Sequence, residues 1–313
     1  MNLEFNDRAC PLCGSHQAAR VVESNIDPAK LTEFAFASRK FPEYMHHRMV
    51  ECASCEMFYA NPVFSPEVIA KAYLKAAFDS QRESYFASLT YRSLLRRRLE
   101  HLPAKEAALD IGAGDGSFLE QLVSLGFKEA VGVEPSEAPI AAAKPNIRSM
   151  IRKGLFRAQD FGRQSFDLVT CFQVMEHLSD PLLLTRDAFS LLKPGGMFFA
   201  VVHDLRALSA RLLGAKSPIF DIEHLQLFTG RTIISLFQRA GFQSVSGEPV
   251  WNRYPLHYWM KLFPLPRGLK ESAISAAKLT RIGCIPLGLP AGNLAVIGYK
   301  PKLNQHGPPN DGS

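Results

Sequence analysis

Short apolar runs alternate with amphipathic stretches through the middle of the chain. The runs have the length of buried strands, and the stretches between them carry apolar residues at helical spacing. Strands that alternate with helices predict an α/β fold, a doubly wound parallel sheet covered on both faces. The pattern predicts, in order, a strand at Ala107–Ile111, a helix at Ser117–Leu125, strands at Ala130–Glu134 and Ser165–Phe172, a strand that ends at Asp204, and a helix from Gly230 to Gly241.

The composition of the 313 residues is ordinary for a globular protein, with 47% hydrophobic and 21% charged residues. The net charge of +6 is spread out, and the densest basic cluster, at 91–102, reads as a helix whose arginines lie on a solvated face. We therefore do not expect a nucleic-acid partner. The first residues show no secretory signal, and no uninterrupted apolar run approaches the roughly 20 residues of a membrane span. These observations predict a cytoplasmic protein.

Four of the six cysteines form two Cys-x-x-Cys pairs, at Cys10 and Cys13 and at Cys52 and Cys55. Two such pairs can complete a tetrahedral shell of four thiolates, which suits zinc. Disulfides and unrelated thiols are the alternatives, and a cytosolic chain disfavours disulfides. A shell closed by four cysteines predicts a structural metal rather than a catalytic one.

The pattern divides the chain into a zinc-binding module at 1–64, connecting helices at 65–104, a main domain at 105–300 and a disordered tail at 301–313. Within the main domain, 248–288 reads as an insertion rich in aromatic residues, lysine and arginine. It is predicted to be a lid over the substrate, a membrane-facing patch through 251–270, or core for an extra helical layer.

A glycine-rich turn follows the first predicted strand, with Gly112 and Gly114 where a ligand can touch the backbone. Glu134 lies 20 residues after Gly114 at the end of the next strand, where a carboxylate can accept both hydroxyls of a ribose. Asp110 and Asp115 would repel the pyrophosphate of a dinucleotide. They suit a cationic ligand that carries an amine, so S-adenosylmethionine is favoured over NAD.

Four motifs in order resemble those of the class I S-adenosylmethionine-dependent methyltransferases. They are "LDIGAGDGSFL", "GVEPS", "FDLVTCFQVMEHLSDP" and "LLKPGGMFF". The cysteine leader together with "EHLQLFTGRTIISLFQRAGF" resembles a narrower group that joins a zinc-binding module to this domain. That group includes sugar C-methyltransferases and other small-molecule methyltransferases. The resemblance implies a seven-stranded, Rossmann-like methyltransferase sheet and a small zinc-binding module.

The resemblance also implies which residues bind the cofactor. Asp110, Gly112, Ala113 and Gly114 match the positions that meet the methionine part, and Glu134 matches the ribose ligand. Pro135 is expected near the adenine, and Phe172 is expected to line the pocket. Leu155 stands near the slot where many relatives have an acidic residue for the adenine amino group.

The tripeptide Glu-His-Leu occurs at 100–102, 176–178 and 223–225. His177 and His224 fall at the carboxyl edge of the predicted sheet, where open α/β sheets bind ligands, whereas His101 falls at the opposite edge. The resemblance to the sugar C-methyltransferases implies Glu223 and His224 in proton abstraction, with His177 nearby. The alternative is that these histidines cap or pack helices.

The sequence therefore predicts methyl transfer to a small-molecule acceptor, a sugar, nucleotide-sugar or secondary metabolite, with histidine as general base. Three alternatives remain: a zinc-ribbon binding protein with a degenerate methyltransferase domain, an NAD-dependent oxidoreductase, and a methyltransferase of a lipid-linked substrate at a membrane surface.

Overall fold

Two main sheets and the helices around them form the fold. The structure, a computed structural model, describes residues 5–27, 45–65, 68–69, 73–74, 78, 80–262 and 267–302. The predicted tail from residue 303 onward and parts of the first connecting helix lie outside these residues. The strands are β1 (Phe5–Asn6), β2 (Ala18–Val22), β3 (Met49–Cys52), β4 (Phe58–Ala60), β5 (Val63–Phe64), β6 (Ala107–Ile111), β7 (Glu129–Glu134), β8 (Ile151–Lys153), β9 (Phe166–Phe172), β10 (Leu192–His203), β11 (Gln226–Leu227), β12 (Gln243–Pro255) and β13 (Pro286–Tyr299).

Nine α-helices are found among the described residues. They are α1 (Gln81–Arg96), α2 (Ser117–Ser124), α3 (Glu137–Ala142), α4 (Pro145–Arg148), α5 (Pro181–Leu191), α6 (Leu208–Leu213), α7 (Gly230–Arg239), α8 (Leu256–Leu262) and α9 (Arg267–Leu279). In that part of the chain, no helix is both long and apolar enough to cross a membrane.

The large sheet has seven strands in the order β12-β13-β10-β9-β6-β7-β8. The five strands from β10 to β8 are parallel to their neighbours, and β13 runs antiparallel to both β10 and β12. The predicted fold class is confirmed by this architecture. The carboxyl ends of β6, β7, β9 and β10 meet at one edge, which is where ligands of open α/β sheets bind.

Helices cover both faces of this sheet because its central strands are apolar on both sides. Leu109 of β6 belongs to a core that includes Ala188 of α5 and Leu236 of α7. Its neighbour Ala108 faces the other way, into a core with Leu95 of α1 and helix α2. Burial on both sides explains why the strand reads as a continuous apolar run.

Strands β12 and β13 form a hairpin that reaches far into the predicted insertion. Their pairing continues to Pro255 and Pro286, and helices α8 and α9 lie in the connection beyond. Buried Val250, Asn252 and Tyr254 alternate with exposed residues, the period of a strand with one covered face. The two ends of 248–288 are therefore extended sheet, and helices occupy much of the middle.

A second sheet joins the amino-terminal module to the main domain. It has four strands in the order β11-β4-β3-β2, and all three pairings are antiparallel. Strand β11 follows β10 in the chain and is separated from the other three strands by most of the main domain. The module is thus fastened to the segment that follows β10.

Candidate active site

A cavity of about 880 Å³ opens at the carboxyl edge of the large sheet. It is lined by residues from β6, β7 and β9, the segment after β10, and the β12–β13 hairpin. The structure brings all the predicted cofactor and catalytic residues to this one cavity. They are Asp110, Gly112, Ala113, Gly114, Glu134, Pro135, Phe172, His177, Glu223 and His224.

The glycine turn after β6 requires its glycines. Gly112 has φ +76°, and a Cβ there would lie 2.3 Å from a methyl carbon of Val174. Gly114 has φ +55°, and a Cβ there would meet no atom within 4 Å. The open space beside Gly114 belongs to the cavity, so a ligand can approach the backbone at this point.

Glu134 is fixed at the end of β7 by two backbone donors. The Gly114 N–H donates to Oε2 and the Ser136 N–H donates to Oε1, each at 2.9 Å. Burial raises the pKa of this carboxyl above its ordinary value. Each carboxylate oxygen has a second lone pair, so this side chain suits the paired hydroxyls of a ribose.

Asp110 lies at the floor of the cavity and is 2% exposed. The Thr170 hydroxyl donates to its Oδ1 at 2.7 Å. Burial, and to a smaller extent the charge of Glu134, raises the pKa of Asp110 to about 7. A positive group bound nearby would lower that pKa again.

Aromatic and apolar side chains form the wall between the cofactor half and helix α1. The Phe172 ring lies 4.4 Å from the Tyr91 ring and 4.7 Å from the Phe118 ring, measured between centroids. Leu155 and Pro135 line the same half of the cavity. Leu155 thus offers an apolar surface to this half of the cavity.

The cavity is anionic. Among its described lining residues there is no lysine or arginine, while five carboxylates are present: Asp110, Asp115, Glu134, Asp221 and Glu223. This charge favours ligands that carry positive charge and disfavours a buried pyrophosphate. With Glu134 and the space beside Gly114, it fits S-adenosylmethionine, whose sulfonium and amino groups are cationic.

The second and third Glu-His-Leu copies converge at the far end of the cavity. The ring centroids of His177 and His224 are 5.0 Å apart, and that of His203 is 4.8 Å from His224. The carboxylate of Glu223 lies between the first two, with Oε1 3.9 Å from His224 Nε2 and Oε2 4.0 Å from His177 Nδ1. Titratable groups from three separate segments therefore face one space.

The first copy lies elsewhere. His101 is in a single 3₁₀ turn before β6, its side chain is 53% exposed, and its ring lies beside Tyr299 at the opposite edge of the sheet. It does not line the cavity. This position agrees with the prediction that His101 falls at the edge of the sheet opposite to His177 and His224.

Asn252 is a candidate site residue that the sequence analysis did not single out. It is 1% exposed and lines the cavity, and neither atom of its amide has a hydrogen-bond partner among the described residues. A buried amide without partners is costly, so a polar group of a ligand would complete it. The apolar residues at i ± 2, Val250 and Tyr254, are the sequence signal that could have placed Asn252 on the covered face of β12.

The four paired cysteines meet in the amino-terminal module. The Sγ atoms of Cys10 and Cys55 are 3.5 Å apart, as are those of Cys13 and Cys52, and all four lie within 4.8 Å of one another. Four thiolates around one zinc ion would be about 3.8 Å apart, whereas a disulfide needs about 2 Å. The arrangement fits a tetrahedral zinc site and no disulfide.

Comparison with known proteins gives the family. The profile of a methyltransferase-domain family matches residues 78–246, more than half of the chain. The chain belongs to this methyltransferase family. The predicted membership is thereby confirmed, and the matched region contains the glycine turn, Glu134 and both histidine-bearing segments of the cavity.

Curated relatives share part of this region. A ubiquinone biosynthesis O-methyltransferase of Coxiella burnetii is 31% identical over 115 residues, which cover 34% of this chain and 49% of that protein. The enzyme of the same name from Stutzerimonas stutzeri is 30% identical over 149 residues, 43% of this chain and 62% of that protein. The chain thus spans about half the length of the curated relatives it matches.

Among solved structures, a SAM-dependent methyltransferase from Archaeoglobus fulgidus is 21% identical and covers 68% of this chain and 94% of its own, with a TM-score of 0.46. Phosphoethanolamine N-methyltransferase 2 of Haemonchus contortus, in complex with S-adenosyl-L-methionine, is 17% identical and covers 68% of this chain and 52% of its own, with a TM-score of 0.44.

Proposed function

We propose that the protein transfers the methyl group of S-adenosylmethionine to a small-molecule acceptor. One observation carries the proposal: a single cavity joins an acidic cofactor half, built on Glu134 and the glycine turn, to a cluster of histidine and carboxylate groups. When bound, the cofactor supplies a methyl group already activated by its sulfonium. The protein must then align the acceptor and remove its proton, and alignment alone can supply much of the rate.

The cofactor half is assigned residue by residue. Glu134 binds the ribose hydroxyls, and the backbone at Gly112, Ala113 and Gly114 lies along the methionine part. Asp110 balances the positive charge of the cofactor. Pro135 and Phe172 supply apolar contacts on either side.

His224 is the proposed general base. Its Nδ1 lies 2.8 Å from the Ile219 carbonyl oxygen, and since a carbonyl can only accept, Nδ1 carries the proton. Nε2 is then left with a lone pair that can take the acceptor's proton, a step that typically contributes ~10²–10⁴-fold. The Glu223 carboxylate stabilises the imidazolium that forms, and His177 lies on the other side of that carboxylate.

The residues that line the cavity restrict which acceptor molecules it can bind. Without lysine or arginine among the described lining residues, a neutral acceptor is favoured, and the phosphates of a nucleotide-sugar would have to lie outside. The aromatic rings of Tyr254, Tyr258 and Trp259 line the substrate side and suit a sugar face or a planar ring. The two curated relatives are named as O-methyltransferases, which supports oxygen as the acceptor atom.

The cysteine quartet is proposed to hold a structural zinc ion. Cys10, Cys13, Cys52 and Cys55 close the shell, so no position is left for a substrate. The ion would stabilise the amino-terminal module, because a preformed site of this kind rarely exists in an unfolded chain.

Calorimetry with S-adenosylmethionine tests the proposal. Wild type is expected to bind, and Glu134→Ala is expected to bind at least ~10-fold more weakly, since two ribose hydrogen bonds to a charged group are lost. If wild type does not bind, the zinc-binding alternative with a degenerate domain replaces this proposal. Binding of NADH instead would favour the oxidoreductase.

Single replacements of three histidines test which of them acts as the general base. The candidate acceptors are incubated with methyl-labelled cofactor and the labelled product is isolated. Single replacements His224→Ala, His177→Ala and His101→Ala should lower turnover in that order, with His101→Ala nearly silent. A loss at His101 equal to that at His224 would contradict the assignment.

A lipid-linked acceptor is a second candidate. Leu208 and Leu212 line the cavity and yet are 68% and 76% exposed, so the mouth of the cavity is apolar. In the predicted membrane-facing segment 251–270, Trp251 is 63% and Leu269 62% exposed. Such a surface suits an interface with lipid. Co-flotation with anionic vesicles that is lost in Leu208→Ser/Leu212→Ser would support this candidate, and absence of flotation in wild type would remove it.

A further inference from the structure

Asn252 of β12 carries a buried amide in the lining of the cavity. The side chain is 1% exposed, and neither Oδ1 nor Nδ2 has a hydrogen-bond partner among the described residues. We propose that this amide selects the acceptor by binding a second hydroxyl group, one that is not methylated. The acceptor is then an uncharged molecule with at least two separate hydroxyl groups. The inference rests on the proposed function and names the class of substrate for the same cavity.

The neighbours of Asn252 on the same face of β12 are apolar. Val250 and Tyr254, two positions before and after it, belong to a buried core that also contains Tyr91 of α1 and Trp259 of α8. A leucine would suit such surroundings better, because a buried amide without hydrogen bonds is costly. The amide therefore destabilises the ligand-free protein, and a ligand that forms hydrogen bonds with it would remove that cost.

The order of the strands places this amide on the substrate side of the cavity. Strand β12 is the edge strand of the large sheet and lies four strands away from β6, whose carboxyl end carries the glycine turn. At the usual spacing of about 4.8 Å between neighbouring strands, roughly 19 Å separates these two strands. Strand β10, which ends at His203 of the histidine cluster, is only two strands from β12. The amide is thus placed to contact the acceptor rather than the cofactor.

The pairing of the strands also separates the amide from the reacting hydroxyl. Asn293 of β13 pairs with His203 of β10 on one side and with Val250 of β12 on the other. Its Oδ1 lies 3.0 Å from His203 Nδ1, so this nearer amide oxygen already has a donor. Asn252 is one strand further on, about 10 Å of sheet away from β10. A hydroxyl that gives its proton to His224 is therefore a different group from the one that Asn252 binds.

The chemistry of a primary amide points to a hydroxyl as its ligand. The amide oxygen accepts, the amide nitrogen donates two hydrogen bonds, and the group carries no charge. A hydroxyl group both donates and accepts, so it can pair with either atom of the amide, whereas a carboxylate or phosphate could only accept and would be repelled by the anionic lining. The terminal torsion of an asparagine is soft, so the amide can turn its polar atoms towards a ligand at little cost.

The backbone that bears Asn252 is held on both sides. The Arg253 N–H donates to the Thr90 hydroxyl oxygen at 3.3 Å, which ties β12 to helix α1. Beyond the end of β12, the indole Nε1–H of Trp259 donates to the Leu287 carbonyl oxygen of β13 at 2.8 Å. The hairpin is thus in place before the acceptor binds, and a pre-organised site loses less affinity to the ordering of its own groups.

Pairs of acceptors that differ by one hydroxyl test the inference. The full-length protein is incubated with methyl-labelled S-adenosylmethionine and with methyl hexopyranosides and their monodeoxy analogues, or with hydroquinone and 4-methylphenol. In at least one pair, wild type should use the member with the additional hydroxyl with a kcat/KM about 10–100-fold higher, because the other member leaves the amide unpaired. Discrimination among the glycosides identifies a sugar as the acceptor, and preference for hydroquinone identifies a phenol.

Replacement of the amide should remove this discrimination. Asn252→Leu keeps the approximate size of the side chain, and in this variant both members of the pair should be used nearly equally, while the affinity for S-adenosylmethionine measured by calorimetry stays unchanged. Asn252→Ala is the second variant and should lose the same discrimination. Asn146→Leu is the matched control, since it makes the same change at an exposed position of α4 outside the cavity lining, and it should behave as wild type. Melting curves show that each variant is folded.

The outcomes distinguish failure of the inference from failure of the proposed function. Discrimination that persists in folded Asn252→Leu, or a wild type that discriminates within no pair, overturns the inference and leaves the methyltransferase proposal in place. A loss of affinity for S-adenosylmethionine in Asn252→Leu assigns the amide to the cofactor and also overturns the inference. A wild type that does not bind S-adenosylmethionine overturns the proposed function instead. Calorimetric binding of a multi-hydroxyl probe that is lost in Asn252→Leu would in that case still support recognition by the amide.

Discussion

The affinity of the protein for S-adenosylmethionine should depend on pH through Asp110. Burial raises the pKa of this carboxyl to about 7 in the ligand-free protein. The cationic cofactor interacts favourably with the ionised form only. At pH 6 the side chain is therefore mostly protonated, and binding must first displace that proton.

The size of the effect follows from the pKa. With a value near 7, about one molecule in eleven is ionised at pH 6 and about ten in eleven at pH 8. If the cofactor binds only the ionised form, Kd should fall about tenfold between these pH values, about 1.4 kcal/mol of binding free energy. The sign is fixed: raising the pH strengthens binding, and binding releases a proton.

Isothermal calorimetry in buffers of different ionisation enthalpy measures both the Kd and the number of protons released on binding. The cofactor's own amino group titrates near ~8, so the comparison is made against Asp110→Asn under identical conditions. The variant should bind more weakly at pH 8 and should lose the tenfold dependence and the proton release near pH 7. Should Asp110→Asn retain the same slope, another group is responsible and the assigned role of Asp110 is wrong.

Three further outcomes are expected. Gly112→Ala should lower the melting temperature and abolish cofactor binding, because its Cβ would meet Val174 at 2.3 Å and φ is +76°; normal binding by calorimetry would contradict this. Cys52→Ser should lower the zinc content measured by atomic absorption and destabilise the protein; full zinc content with unchanged stability would argue against a four-thiolate site. Asn252→Leu should raise the stability of the ligand-free protein by about 1 kcal/mol, since an unpaired buried amide is removed, and raise the KM for the acceptor; a fall in stability in thermal melts would show that the amide is paired.

The cofactor half of the cavity could be predicted because its determinants are local. Strand, turn, helix and the next strand follow one another between residues 107 and 134, and each has a short-range signal. The two histidines could be placed at one edge because parallel strands share their carboxyl ends. That rule gives the edge but not the contacts, so the carbonyl groups of Ile219 and Glu223 that orient the rings could not be foreseen.

The β12–β13 hairpin shows a second limit of prediction from the sequence. The residues two positions before and after Asn252, Val250 and Tyr254, are apolar, which is the alternation expected of a strand. This alternation is hard to recognise in the sequence because the segment is rich in aromatic residues at other positions too. The sequence predicted an insertion at 248–288, and the backbone pairing of β12 with β13 extends into this segment as far as Pro255. Pairing between distant strands depends on both partners, and one partner's sequence does not reveal it.

The least predictable feature is the connection between the cysteine module and the histidine cluster. The pairing of β4 with the two-residue strand β11 joins segments more than 160 residues apart, and two residues carry no periodic signal. Arg8 strengthens the connection: its guanidinium donates to the Leu225 carbonyl oxygen and, at 3.0 Å, to Gln226 Oε1, and its Nε donates to the Ala60 carbonyl oxygen. Gln226 Nε2 donates in turn to the Leu178 carbonyl oxygen at 2.8 Å.

These bonds give the module a role in the site although it lines none of the reacting space. Leu178 and Leu225 directly follow His177 and His224, so Gln226 holds the two histidine-bearing turns at a fixed separation, and Arg8 holds Gln226. Arg8 is two residues before Cys10, so its position depends on the fold that the four thiolates stabilise. A structural zinc ion there would thus set the geometry of a general base that it never contacts. A small displacement of catalytic groups can lower the rate ~10²-fold. This gives a physical reason for the cysteine module and the methyltransferase domain to be joined in one chain.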